Sequence, residues 1–110
     1  MKGSNLGEFE ELVMLSIAVL FPKAYGVAIK EEINTRAGRR VTLSAVHAAL
    51  HRLQEKGYLK SAFGEATQQR GGKRKKYFTI KASGAKALEE VRELREQLWS
   101  DIDKVALQQG

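Results

Sequence analysis

His47 and His51 stand four residues apart, with Glu55 four further on, so a helix would put all three on one face. Two histidines at that spacing can hold a metal ion, but the sequence shows no third ligand that closes a shell, and Arg52 beside them repels a cation. General acid–base work by either imidazole needs a partner in a pocket, which the pattern does not offer. With no cysteine there is no thiolate nucleophile, no cysteine-based zinc site and no disulfide. Gly71-Gly72 lacks the P-loop pattern around it and reads as a turn. No catalytic set converges, so neither enzymatic activity nor a cofactor is expected.

Anion binding is the chemistry that remains. Between Arg70 and Lys76 five of seven residues are basic, namely Arg70, Lys73, Arg74, Lys75 and Lys76, and the other two are glycines. The charge is concentrated. Residues 1–35 and 82–110 each sum to −2, whereas residues 36–81 carry 12 basic groups against Glu55 and Glu65, giving +10 and a total of +6. Such a segment repels itself unless an anion is its partner.

At 110 residues the chain reads as one domain. Hydrophobic residues at 43% and charged residues at 29% fit a globular protein rather than a disordered one. The longest apolar run, residues 12–21, is ten residues interrupted only by Ser16, against the ~20 of a membrane span, and it lies behind Glu8, Glu10 and Glu11, too deep for a signal peptide. A cytoplasmic location without membrane contact is expected.

The elements that must position the basic groups follow from the patterning. A first helix is expected over 7–21, capped by Asn5, apolar nearly all round in its second half and ended by Pro22. A second runs over 25–37 and ends at Gly38. A third runs over 43–56, capped by Thr42 or Ser44, with Leu43, Val46, Leu50 and Leu53 as its buried stripe and Gly57 as its end. Strands are expected over 58–66 and 74–80, joined by a basic tip. A last helix of 27 residues is expected over 82–108, with Ser83 as its cap. The fold class is thus mostly α with a small β element: a winged helix-turn-helix of three helices and a two-stranded wing over 1–81, followed by a dimerisation helix over 82–110.

In that arrangement the third helix is suited to a DNA major groove, and the wing to phosphates or the minor groove. The expected DNA contacts are Arg39, Arg40, Thr42, Ser44, His47, Ala48, His51, Arg52, Arg70, Lys73, Arg74 and Lys75. The last helix is too long for its own domain and carries an apolar stripe. A homodimer is therefore expected through Leu12, Leu15 and Val19 of the first helix and Leu88, Val91, Leu94, Leu98, Trp99, Ile102 and Val105 of the last. Trp99 reads as interface packing or as one wall of a pocket for a flat aromatic effector at the two-fold axis. Another reading is an adaptor or antitoxin-like module whose basic face meets an acidic protein.

Leu6-Gly7-Glu8-Phe9-Glu10-Glu11-Leu12, Ala24-Tyr25-Gly26-Val27, Leu50-His51-Arg52-Leu53-Gln54-Glu55-Lys56-Gly57-Tyr58-Leu59 and the wing Arg70-Gly71-Gly72-Lys73-Arg74-Lys75-Lys76-Tyr77-Phe78 together resemble the PadR family of bacterial winged-helix transcriptional regulators. The resemblance implies a dimeric, repressor-like regulator of the short branch without a separate effector domain, with double-stranded operator DNA as partner. The family usually carries tyrosine, associated with DNA contact, where His47 stands here, and often a hydroxyl residue where Ala48 stands.

Overall fold

The computed structural model describes residues 6–64 and 74–108. Its elements are α1 (Glu8–Leu20), α2 (Gly26–Ala37), α3 (Leu43–Glu55), β1 (Leu59–Phe63), β2 (Lys76–Ile80) and α4 (Ala82–Ser100), followed by a 3-10 turn at Lys104–Leu107. This is the expected fold class: mostly helical, with one antiparallel two-stranded sheet after the third helix.

The cap of α1 is Gly7 rather than Asn5, which lies outside the described residues. The Gly7 N–H donates to Glu10 Oε1 at 3.0 Å, so the carboxylate three residues on satisfies a free backbone donor. The helix stops at Leu20 because Phe21 precedes Pro22 and is driven out of the helical region, to ψ 133°. One side of α1 is core, with Val13, Met14 and Ile17 buried, while Leu15, Val19 and Phe21 on the other are exposed.

Gly38 ends α2 in the left-handed conformation at φ 63°, which a side chain would strain. Asn34 Oδ1 then accepts from the Val41 N–H at 2.8 Å and fixes the link into α3. Thr42 Oγ1 accepts from the Ala45 N–H at 3.1 Å, the expected N-cap of α3. The buried stripe of α3 is Val46, Ala49, Leu50 and Leu53. Leu43, expected in that stripe, stands at the first helical position, on the rim of the core, and is 36% exposed.

Strand β1 begins at Leu59 and β2 at Lys76, one and two residues later than expected, and residues 65 and 66 of the expected first strand, with the basic tip that follows them up to 73, lie outside the described residues. Leu59 pairs with Ile80 and Phe63 with Lys76, and the Gly64 N–H carries the ladder one step further to the Lys75 carbonyl at 2.8 Å. Leu59 and Phe78 point into the helical core. The Phe78 N–H donates to the Ala24 carbonyl at 2.8 Å, which ties the wing to the start of α2.

The last helix differs most from expectation. It has 19 residues rather than 27, and its N-cap is Lys81. Ser83, expected as the cap, instead donates its hydroxyl to the Gly57 carbonyl at 2.6 Å. The helix stops where Asp101 and Asp103 would meet the negative end of its dipole, and Asp103 Oδ1 caps the following turn by accepting from the Val105 N–H at 2.9 Å. Gly84 lets α4 lie close to the body. A Cβ there would stand 2.5 Å from the Tyr58 carbonyl oxygen and 3.0 Å from Met14 Cε. Gly84→Ala should therefore cost about 1–3 kcal/mol, read as a lower urea midpoint at unchanged m-value.

Candidate nucleic-acid interface

The four apolar residues of α3 that face the core leave Ser44, His47, Ala48, His51, Arg52 and Glu55 in solvent. Spacing alone brings this about, since residues three and four apart share a helix face. Ser44 and Ala48 are small, so the backbone of this face can approach another surface closely. His51 Nε2 lies 3.2 Å from Glu55 Oε2. The His47 ring packs on the start of α2, and a Cβ on Gly26 would stand 2.9 Å from His47 Cε1.

Beside this face the structure opens a cleft of 390 Å³ between α2, α3 and the wing. Its walls include Tyr25 and Gly26, His47, His51 and Gln54, and Lys76 and Phe78 of β2. The wing strand thus stands next to the exposed histidines. Lys76, absent from the expected contacts, is part of that wall, and its sequence signal was its place in the basic run. Two further wing cations, Lys75 and Arg74, lie against aromatic rings. Lys75 Nζ is 4.2 Å from the Tyr25 ring centre, Arg74 is 5.7 Å from that of Phe63, and Tyr25 meets Tyr77 edge-on at 5.9 Å. Ring faces attract cations, so these contacts hold the base of the wing in place. Arg70 and Lys73 lie outside the described residues.

Arg39, Thr42 and Arg52 have partners within the chain. Arg39 donates to Glu8 Oε2 at 2.7 Å and covers the Phe9 ring at 5.5 Å. Arg40 is exposed. Thr42 is occupied as the helix cap, with Ser44 Oγ at 3.3 Å from its hydroxyl. Arg52 Nε donates to Glu10 Oε2 at 2.8 Å, which turns its guanidinium toward α1. Glu10 is buried, and Lys56 Nζ donates to its Oε1 at 2.7 Å. Burial acts to raise the Glu10 pKa, but the hydrogen bonds from Lys56, Arg52 and the Gly7 N–H outweigh it and lower it from 4.5 to about 2. Nothing in the sequence marked Glu10 beyond its place in the first turn of a helix, because its partners are 42 and 46 residues away.

Elsewhere, α1 and α4 line a groove of 330 Å³ whose walls include Glu11, Leu15, Leu88, Arg92, Arg95 and Trp99. Arg95 Nη2 donates to Glu11 Oε1 at 3.0 Å across it. Of the expected dimer residues, Leu12 and Leu88 pack partly on the chain's own core, and Val91 is half-buried. Leu15, Val19, Leu94, Leu98, Trp99 and Val105 are 45–65% exposed, and Ile102 is at 36%. Ile102 and Val105 lie beyond the end of α4, contrary to the single long helix expected. Among the described residues no cluster of three or more metal-ligating side chains occurs, and no helix is long and apolar enough to cross a membrane.

Comparison with curated proteins finds no match. Among solved structures the chain is similar to a PadR-like transcriptional regulator from Bacillus cereus strain ATCC 14579, at 19% identity, 93% coverage of each chain and a TM-score of 0.73. It is similar to a PadR family transcriptional regulator from Eggerthella lenta DSM 2243 at 25% identity, covering 93% of this chain and 88% of that one, with a TM-score of 0.68. A third similar structure is a PadR family transcription regulator from Clostridium difficile R20291, at 26% identity, 91% and 96% coverage and a TM-score of 0.61. The family model of the PadR-like transcriptional regulators matches residues 14–90, which hold most of α1, the whole of α2 and α3, both strands and the first half of α4. The chain belongs to the PadR-like family of transcriptional regulators.

Proposed function

We propose that the chain is a homodimeric, operator-binding repressor acting in the cytoplasm without catalysis. The exposed face of α3 reads the major groove through His47 and His51, with Ser44 and Ala48 allowing close approach. Arg39, Arg40, Thr42 and the wing cations Arg70, Lys73, Arg74, Lys75 and Lys76 serve the phosphates. The observation that carries this reading is the cleft, which sets Lys76 of β2 beside His47 and His51 of α3. A duplex pressed on α3 would meet the wing at the same time.

The head over 1–81 carries the DNA contacts, and the chain over 82–110 joins two heads. Dimerisation through α1 and α4 would place two α3 helices at half-sites about 34–36 Å apart, or a multiple of that. A small aromatic effector would enter the groove at Trp99 and Leu15, change the angle between the heads and weaken binding. The exposure of Trp99 at 65% supports that role, as does the apolar wall facing it.

Titration of duplex DNA at varied salt tests the reading. Neutralising Lys73, Arg74 and Lys75 together should weaken every sequence to a similar degree and reduce the slope of log K against log salt by up to ~3. An unchanged slope would take the wing off the phosphates. A wild-type chain with no salt dependence and no sequence preference would favour the protein-interaction module.

A further inference from the structure

The first turn of α1 holds three carboxylates, and each receives a cation from a different part of the chain. Glu8 takes Arg39 from the link between α2 and α3, and Glu11 takes Arg95 from α4. Glu10, between them, takes Arg52 of α3 and Lys56, the C-cap residue of the same helix one turn further on. Glu10 is 6% exposed, and both its oxygens are engaged: Oε1 by the Gly7 N–H at 3.0 Å and Lys56 at 2.7 Å, and Oε2 by Arg52 at 2.8 Å. A buried ion network of this kind adds little stability over an apolar side chain of the same size, so its geometry is the more telling property.

Two attachment points one turn apart on the same helix resist rotation of that helix about its own axis. Rotation is what DNA reading tolerates least. A roll of ~15° moves a side-chain atom ~6 Å from the axis by about 1.6 Å, more than the roughly 0.5 Å within which a recognition group must be held. We propose that Glu10 is a positioning residue for DNA reading: by holding Arg52 and Lys56 it sets the roll of α3, and with it the aim of His47 and His51. Arg52 on this account is a strut and not a DNA contact. The proposal rests on the DNA-binding reading above and adds to it the residue that orients the reading helix.

The test uses the full-length protein and two DNA probes. One is the duplex that the wild type enriches most from a library with a randomised stretch of about 30 bp, long enough for two half-sites. The other is a random-sequence duplex of the same length. Glu10→Gln and Arg52→Gln should each weaken the enriched duplex about tenfold and leave the random duplex and the salt slope unchanged. The double variant should bind no worse than Glu10→Gln alone, because Arg52→Gln breaks a contact that Glu10→Gln has already broken. A merely structural role for Glu10 would lower both affinities alike. A salt slope smaller by about 0.9 in Arg52→Gln would mean that Arg52 touches a phosphate, and additive losses in the double variant would mean that the two residues act apart. Either result, or an unchanged ratio between the two duplexes, overturns the proposal. If circular dichroism shows that Glu10→Gln does not fold, Arg52→Gln, altered at a side chain 49% exposed, still decides between strut and contact by its slope and its ratio. A wild type that enriches no duplex overturns the DNA reading itself, and the proposal with it.

Discussion

Leu98→Glu should turn a species of about twice 12.3 kDa into a monomer, measured by sedimentation at micromolar concentration, while leaving the fold of the head intact. Leu98 is 58% exposed on its own chain, so the head's core does not depend on it. Leu94, Trp99, Val105 and Leu107 are exposed as well, as are Leu15 and Val19 of α1, and Leu15 and Trp99 line one groove. A monomer would carry all of this in water, as an unusually large apolar patch. The overall shape agrees. The radius of gyration is 16.6 Å and the extents are 58 × 33 × 20 Å, whereas a compact chain of this length would have a radius near 13 Å. The extra length leaves an overhang for a partner to cover. By two-fold symmetry one substitution enters the interface twice. At about 2 kcal/mol for each buried charge, the dissociation constant should rise on the order of a thousandfold. Operator binding should fall with it, since two half-sites are then met by separate heads. Cutting the chain after Ser83 should be more severe, because it also removes Gly84 and Ala87, which are buried against the head. A stable, DNA-competent monomer after either change would mean that α4 serves some other end.

Val46→Asp should leave no folded protein. Val46 has no exposed surface and packs in one cluster with Leu50, Leu53, Ile29 and Met14. A carboxylate there must stay charged in an apolar site or take up a proton against its ordinary pKa. A loss of about 4–5 kcal/mol would consume most of the stability of a domain at the lower end of the usual range of roughly 5–15 kcal/mol. Circular dichroism should show an unfolded chain at 25 °C. Its neighbour His47 is the internal comparison. His47→Ala touches an exposed side chain, so stability should change by under ~0.5 kcal/mol while sequence preference in DNA binding is reduced. Similar unfolding in both variants would mean that the two faces of α3 are not divided as described.

The periodicity of α3 was enough to separate these two faces in advance, because a helix repeats every 3.6 residues whatever it packs on. The same holds for Gly38 and Gly57, whose φ values of 63° and 82° are ones that other residues rarely adopt, and for Thr42, whose capping bond closes within three residues. Fold class, the basic middle and the wing were legible for that reason: each rests on spacing within one element or on local charge. Where elements begin and end was less so. The 27-residue last helix was read from an apolar stripe that continues past Ser100, but Asp101 and Asp103 break the backbone while Ile102 and Val105 keep the pattern.

What only the tertiary structure decided is which charges are free. Arg39 and Arg52 look alike in sequence to any surface cation of a basic segment. Folding brings Glu8 and Glu10 against them across 31 and 42 residues, and at 2.7–2.8 Å each carboxylate pairs with one of these guanidinium groups. The cleft joining Lys76 to His47 and His51 is likewise a product of three elements meeting. A helix declares its own faces through its spacing, but the partner of a long charged side chain depends on which element the core packs beside it.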